Sequence, residues 1–314
     1  MHALGYAAAI ATRQDARVSG AFDPEYGSTF SESAGGVRLF DSAQNLLHES
    51  DAIIVCSENI SHAEQIELAC SHQKPVLCKK PLVTSEEEIA VVRKAIERTG
   101  NLVLTAFPCA YAPAFDKLVT KVHSGEIGEV KAICATNHGR CPYSWFIDAT
   151  KSGGGALIDH TVHVADLLRR LLGMQPSAVM AQISNRMLGE SVDDTAMLTL
   201  KYENGVFASL DASWSRPESY KTWGDVTIKV IGEKGVIEFD LFRPAFDRYR
   251  DAKMQHSLVG YGSDLDKLLV EDFVQAIHGT RPPRSTWECG IEATKVAIAA
   301  YRSVLRGEPV PLPV

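Results

Sequence analysis

The chain has 314 residues, 45% of them hydrophobic and 23% charged, with a formal net charge of −7. This length favours two domains, each able to bury its own core, and the composition is that of a soluble globular protein. The acidic balance argues against a nucleic-acid partner, whose affinity depends on cations that neutralise phosphates, and no run approaches the roughly 18 apolar residues of a membrane helix.

The opening "MHALGYAAAIA" has too short an apolar stretch, with no basic flank, to serve as a secretory signal, so a cytoplasmic setting is expected. Cysteines 56, 70, 78, 109, 134, 141 and 289 are scattered without a CxxC pair, which fits reduced thiols rather than a disulfide framework or a zinc site. The apolar runs "ARVSGAF", "DAIIVC", "PVLC" and "LVLTAF" then alternate with helix-like stretches at 61–72 and 85–99. That alternation is a βαβ pattern, which predicts a Rossmann-like parallel sheet with ligands beyond the carboxyl ends of its strands. Asp23, Ser57 and Lys80 each follow such a strand end, and "TSEEEI" starts a helix capped by Thr84 or Ser85.

After about residue 125 the rhythm changes. "GEVKAICATNH" reads as a strand and "GGGALIDHTVHVADLL" as a glycine-led helix, while "DTAMLTLKYENGVFASLDASW" alternates on both sides of an "NG" turn as a hairpin does. "DVTIKVIGEKGVIEF" adds further strands, and helices are expected near 264–278 and 287–306. The expected organisation is an α/β domain over 1–110 and an α+β domain with a mostly antiparallel sheet over 111–314.

Three constellations carry chemistry. In the glycine-led helix Asp159 and His163 are four apart and share a face, with Asp166 one turn further on. A histidine and a neighbouring carboxylate make an acid/base pair, and Gly153–Gly155 would let a ligand or a neighbouring backbone come close to the helix start. A second reading makes His160 and His163 satisfied histidines at a domain boundary. A metal site has little support, because the HExxH spacing is absent and no cysteine cluster assists. In "CKKPL", Pro81 keeps Lys80 out of helical geometry and turns it toward the crevice, although the same residues can form a plain solvated basic turn. At Asp23, a carboxylate at a strand end would accept hydrogen bonds from ribose hydroxyls and select NAD over NADP.

Taken in order, Asp23, "CSEN" at 56–59, "KKP" at 79–81 and the Asp/His helix resemble the Gfo/Idh/MocA family of NAD(P)-dependent oxidoreductases over essentially the whole chain. "CKKPL" looks like the family's EKP motif and "GGGALIDHTVHVADLL" like its glycine-led catalytic helix. The resemblance implies that Lys80 contacts nicotinamide and the reacting hydroxyl, that His163 takes the hydroxyl proton and that Asp159 holds the substrate. It sets Asp23, Ser57, Asn59, His62, Lys79 and Lys80 beside the NAD cofactor and Tyr111, Trp145 and His160 at the substrate. The expected activity is hydride transfer between a secondary hydroxyl of a sugar, polyol or related cyclic compound and nicotinamide. Association as a homodimer or homotetramer through the open face of a large C-terminal sheet is implied as well.

The sequence also departs from the family. Lys79 replaces the motif's glutamate, and Glu58 replaces the proline of a TPN-like turn. "MHALGYAAAIA" looks like the helix that follows the glycine-rich turn, so the family's first strand and GxGxxG turn, roughly a dozen residues, are expected to be missing. On that reading the chain as written binds NAD poorly, either as a shortened reading frame or as a relative turned ligand sensor.

Overall fold

The computed structural model describes residues 2–312 apart from 244, 251–253 and 261. Two compact units are present, one formed by Met1–Pro108 with Asp264–Ile291 and the other by Cys109–Ser263 with Glu292–Val314.

In the first unit α1 (His2–Ala11), α2 (Gly27–Ser33) and α3 (Ala43–His48) precede β1 (Ile53–Val55), α4 (His62–Ser71), β2 (Val76–Lys79), α5 (Glu86–Thr99) and β3 (Val103–Ala106). The strands pair in parallel in the order β1-β2-β3. Both β2 and β3 are buried along their whole length, as expected of strands covered on both faces. Helix α5 starts where the sequence signals it. Ser85 Oγ accepts from the Glu88 amide at 3.2 Å, and the Glu88 carboxylate returns to the Thr84 amide at 2.6 Å. Gly100, at φ 66°, ends the helix. The expected strand "ARVSGAF" forms only the isolated parallel bridge Ala21↔Leu39 and otherwise runs as irregular backbone, since one bridge does not make a ladder.

The boundary expected at 110/111 needs a correction at its far end. Residues 264–291 include α9 (Leu265–Ile277) and belong to the first unit, because α9 packs on α1 and the segment after it pairs with β3 through Leu104↔Thr286. The Thr105 amide also donates to the Ser285 carbonyl at 3.0 Å.

The second unit contains α6 (Pro113–His123), β4 (Val130–Gly139), α7 (Ala149–Ser152), α8 (Ala156–Leu172), β5 (Ala178–Ser184), β6 (Thr195–Lys201), β7 (Phe207–Ser213), β8 (Gly224–Gly232), β9 (Val236–Asp240), β10 (Ala245–Arg250), β11 (Gln255–Gly260) and β12 (Val310–Pro311). α10 (Trp287–Arg306) begins in the first unit's segment and continues into this one. A seven-stranded sheet runs β12-β5-β6-β7-β4-β8-β9, antiparallel except at β4–β7, and β10 pairs with β11 separately. α8 packs against β4, β6 and β7 on the face that carries Ile133, Ala135, Leu198 and Leu210. The opposite face carries Met197, Phe207 and Val236, each more than half exposed, beside Cys134, Thr136 and His138. α8 is buried from Ala156 to Leu168 and again at Leu171, so the Asp and His side chains on it are enclosed with it.

Candidate active site

Both turns at the carboxyl ends of β1 and β2 carry polar side chains. Ser57 and Asn59 follow β1; the Ser57 hydroxyl donates to Gln65 Oε1 at 2.7 Å, and Asn59 is buried at the head of a single 3₁₀ turn. Lys79 ends β2 and is buried, and Lys80 comes next, joined to Pro81 by a cis peptide bond. His62 links the two turns. Its Nδ1 lies 2.8 Å from the Pro81 carbonyl oxygen and its Nε2 3.3 Å from that of Ser57. Burial, followed by the nearby Lys79 ammonium, pushes its pKa down to about 3, so the ring is neutral and has one N–H, which the shorter contact assigns to Pro81. His62, expected beside the cofactor, is fully enclosed, and its N–H on the Pro81 carbonyl holds the turn that carries Lys80. Asp23 is exposed, and its Oδ1 accepts from the amides of Glu25 (2.9 Å) and Tyr26 (2.7 Å) in an Asx turn.

The glycines before α8 serve a neighbouring backbone. A Cβ on Gly155 would stand 1.9 Å from the Asp193 carbonyl oxygen, and one on Gly154 would stand 2.2 Å from the Tyr301 hydroxyl. The loop before β6 fills the space over Gly155, and Tyr301 of α10 that over Gly154. The Asp193 carbonyl accepts from the Ala156 amide at 2.8 Å, while its carboxylate accepts from Gly155 (3.2 Å), Leu157 (2.6 Å) and the Tyr301 hydroxyl (2.8 Å). Asp193 thus caps the helix from a distance, supplying anionic acceptors to amides that have no partner within the helix.

The ionisable groups of α8 divide into different roles. Asp166 is buried and held by Arg170 at 2.7 Å and Arg169 at 3.1 Å, an ion-pair cluster with a structural task. Asp159, 4% exposed, accepts at Oδ2 from the indole N–H of Trp214 at 3.1 Å. His163, one turn along, is 9% exposed. His160 is clamped, its Nδ1–H donating to the Asn137 carbonyl at 2.8 Å and its own carbonyl accepting from Asn137 Nδ2 at 3.0 Å. Its Nε2 faces Asp159 Oδ2 at 3.3 Å, and Trp223 meets the ring edge-on at 6.1 Å. Expected at the border of the substrate pocket, His160 is instead enclosed, 1% exposed, because Asn137, Trp223 and the bare backbone of Gly139 close around it. The other two residues expected there differ: Tyr111 is buried, while Trp145 is half-buried and stacked on Phe146 with centroids 3.8 Å apart. That stack follows Tyr143 and Ser144, both at φ 53°, a region that non-glycine residues seldom occupy.

The sequence reading missed Trp214, Asp193 and Tyr301. "LDASW" ends a strictly alternating strand on a large aromatic, which is a usable signal for Trp214, but nothing local pairs residue 193 with 155 or 301. Among the described residues no group of three or more His, Cys, Asp or Glu side chains is arranged to hold a metal ion, and no helix is long and apolar enough to cross a membrane.

Residues 3–107 match the model of an oxidoreductase family with an NAD-binding Rossmann fold, and residues 115–238 match the GFO/IDH/MocA C-terminal domain. The chain belongs to the Gfo/Idh/MocA family of oxidoreductases. It is 30% identical over 280 residues to the uncharacterized oxidoreductase YrbE of Bacillus subtilis (strain 168), covering 85% of this chain and 80% of that one. It is 26% identical over 312 residues to inositol 2-dehydrogenase of Rhizobium meliloti (strain 1021), covering 95% and 92%. In fold it resembles GenD2 from gentamicin A biosynthesis, solved in complex with NAD, at a TM-score of 0.89 and 21% identity over 100% of this chain and 94% of that one.

Proposed function

We propose that this Gfo/Idh/MocA protein oxidises a secondary hydroxyl of a cyclic polyol or sugar with NAD, the first unit taking the dinucleotide and the second the hydroxylated substrate. The observation that carries the reading is the burial of two proton-handling side chains, Asp159 and His163, one turn apart on a core helix whose start is locked by Asp193. Its inositol-oxidising relative supports a cyclic polyol as the substrate class.

The residues of the first unit suit a dinucleotide in kind. A carboxylate at Asp23 fits a ribose diol, and the hydroxyl, amide and ammonium of Ser57, Asn59 and Lys80 stand at the carboxyl ends of parallel strands, where such ligands bind. When bound, NAD supplies the acceptor for hydride. The protein's task is to remove the hydroxyl proton as the C–H bond breaks and to stabilise the negative charge that grows on oxygen. A ring nitrogen of His163 takes the proton, the Lys80 ammonium offsets the alkoxide charge, and Asp159 accepts a hydrogen bond from a neighbouring hydroxyl and so orients the ring. His62 acts indirectly, by holding the turn that presents Lys80.

Copies of the chain are proposed to associate through the open sheet face around Met197, Phe207 and Val236, and the protein to work in the cytoplasm. The test of activity is a panel of inositols and sugars offered with NAD to the full-length protein, following NADH by absorbance. At least one cyclic polyol should give steady turnover, and His163→Ala should lower it by about 10²–10⁴-fold. Equal turnover by wild type and His163→Ala would remove His163 from the reaction.

A further inference from the structure

The second unit carries an arrangement around Asp159 that the reaction as described does not use. Trp214 follows the last residue of β7 and is 2% exposed, packed with Ala156 and Val192 in a cluster that Cys141, Phe146, Ile147 and Leu188 complete. Its indole N–H reaches Asp159 Oδ2 at 3.1 Å across 55 residues of sequence. Both ends of this bond are tied to one short loop by adjacent residues. Asp193 holds the start of α8, and with it Asp159, through the Gly155, Ala156 and Leu157 amides. Asp194 accepts from the Trp214 amide at its carbonyl, 2.8 Å, while its carboxylate takes the Met187 and Leu188 amides at 2.9 and 2.7 Å. The separation of the indole from the carboxylate is therefore fixed by main-chain hydrogen bonds on both sides rather than by side-chain packing alone.

We infer that Trp214 is a positioning residue for the oxidation, holding the Asp159 carboxylate in one rotamer through its indole N–H. The inference rests on the proposed role of Asp159 in gripping the substrate. An Asp side chain in a helix has two rotatable bonds, and a carboxylate that must grip a hydroxyl in one direction gains from having one oxygen already committed. The indole is well suited to this, since it has a single donor, no acceptor and no charge to bring into the core. A role in packing alone would require the indole ring but not its N–H.

The test separates ring from donor, and it separates this inference from the activity on which it rests. In the full-length protein without substrate or NAD, the indole N–H proton and nitrogen resonances are recorded for wild type and Asp159→Asn. One resonance, identified by its loss in Trp214→Phe, should shift strongly in Asp159→Asn while the other three tryptophans stay in place; a Trp214 resonance unmoved by Asp159→Asn overturns the inference whether or not any substrate turns over. In turnover, Trp214→Phe removes the N–H while leaving a smaller aromatic ring in the cluster, and should lower kcat/KM for the polyol by about ten- to a hundredfold, the scale of one hydrogen bond to a charged group, with the KM for NAD unchanged. Adding Trp214→Phe to Asp159→Asn should then cost nothing further. The same loss in both backgrounds would assign Trp214 to packing and overturn the inference as well.

Discussion

The turn after β2 in the first unit and the start of α8 in the second each depend on a buried brace, and the two braces have opposite character. At the turn, the group to be held is the Pro81 carbonyl, and the brace is the one N–H of His62, a ring that burial and the Lys79 ammonium keep neutral. At the helix start, the groups to be held are amide N–H donors, and the brace is the Asp193 carboxylate, aided by the Tyr301 hydroxyl. Burial raises the Asp193 pKa and the surrounding donors oppose that rise, while burial and Asp193 together push Tyr301 well above the usual phenol range. Each brace thus matches the polarity of the backbone it holds. The residues proposed to do chemistry, Lys80 in one case and Asp159 with His163 in the other, lie within a few residues of the backbone a brace holds rather than acting as braces themselves.

The sharpest way to break this comparison is at the helix. Gly155→Ala puts a methyl group 1.9 Å from a backbone oxygen that cannot swing away, so the Asp193 cap must be displaced. We expect a loss of about 3 kcal/mol or more in unfolding free energy by denaturant titration, at the top of the range for overpacking. A loss under about 0.5 kcal/mol, the range of neutral surface changes, would mean that the glycines are not there to admit Asp193.

The second break is at His62. An unfolded histidine titrates near 6.5 and the folded ring near 3, so between those values the unfolded chain binds a proton that the folded one refuses. Stability therefore rises with pH across that window and is lost as the solution is acidified through it, at up to about 1.4 kcal/mol per pH unit. His62→Gln retains a donor for the Pro81 carbonyl and should flatten this part of the stability curve. An unchanged acid slope would show that His62 is not the group responsible.

The smallest effect is expected on the open sheet face, where a third polar cluster inverts the logic of His62. Burial alone would lower the pKa of His138, yet the Asp211 carboxylate, 3.0 Å from Nε2, and that of Asp225, 2.9 Å from Nδ1, outweigh it and raise the pKa to about 9. Arg216 shares Asp225, which sits well below the usual carboxylate range despite its burial. Here the folded state holds the proton that the unfolded chain releases, so the contribution is complete below pH 6.5 and is lost as pH rises toward 9. His138→Asn should remove that alkaline decline, across a narrower window than the acid one at His62. A decline equal in variant and wild type would assign it to other groups.

These braces also mark the limit of what the sequence could reveal. Periodicity located α5, α8 and the β6–β7 hairpin because each is a local pattern, and the ordered motifs identified Asp159, His163 and Lys80 as the residues to watch. The partners of Asp166, Arg169 and Arg170 three and four residues on, are also a local pattern, though on sequence alone Asp166 stands beside the acid/base pair instead. Asp193 with Gly155, Trp214 with Asp159 and Ser285 with Thr105 are pairings at long range, and no local spacing encodes them. For that reason the glycines read equally well as room for a ligand, His160 as a pocket residue, and residues 264–291 as part of the second half.

The central claim is hydride transfer from a ring carbon with His163 taking the proton, and isotope transfer tests it most directly. A cyclic polyol deuterated at the carbon that is oxidised, offered with NAD to the full-length protein, should give reduced nicotinamide carrying the deuterium, and His163→Ala should form it far more slowly. Reduced nicotinamide without the label, or labelled product formed equally fast by His163→Ala, would contradict the account.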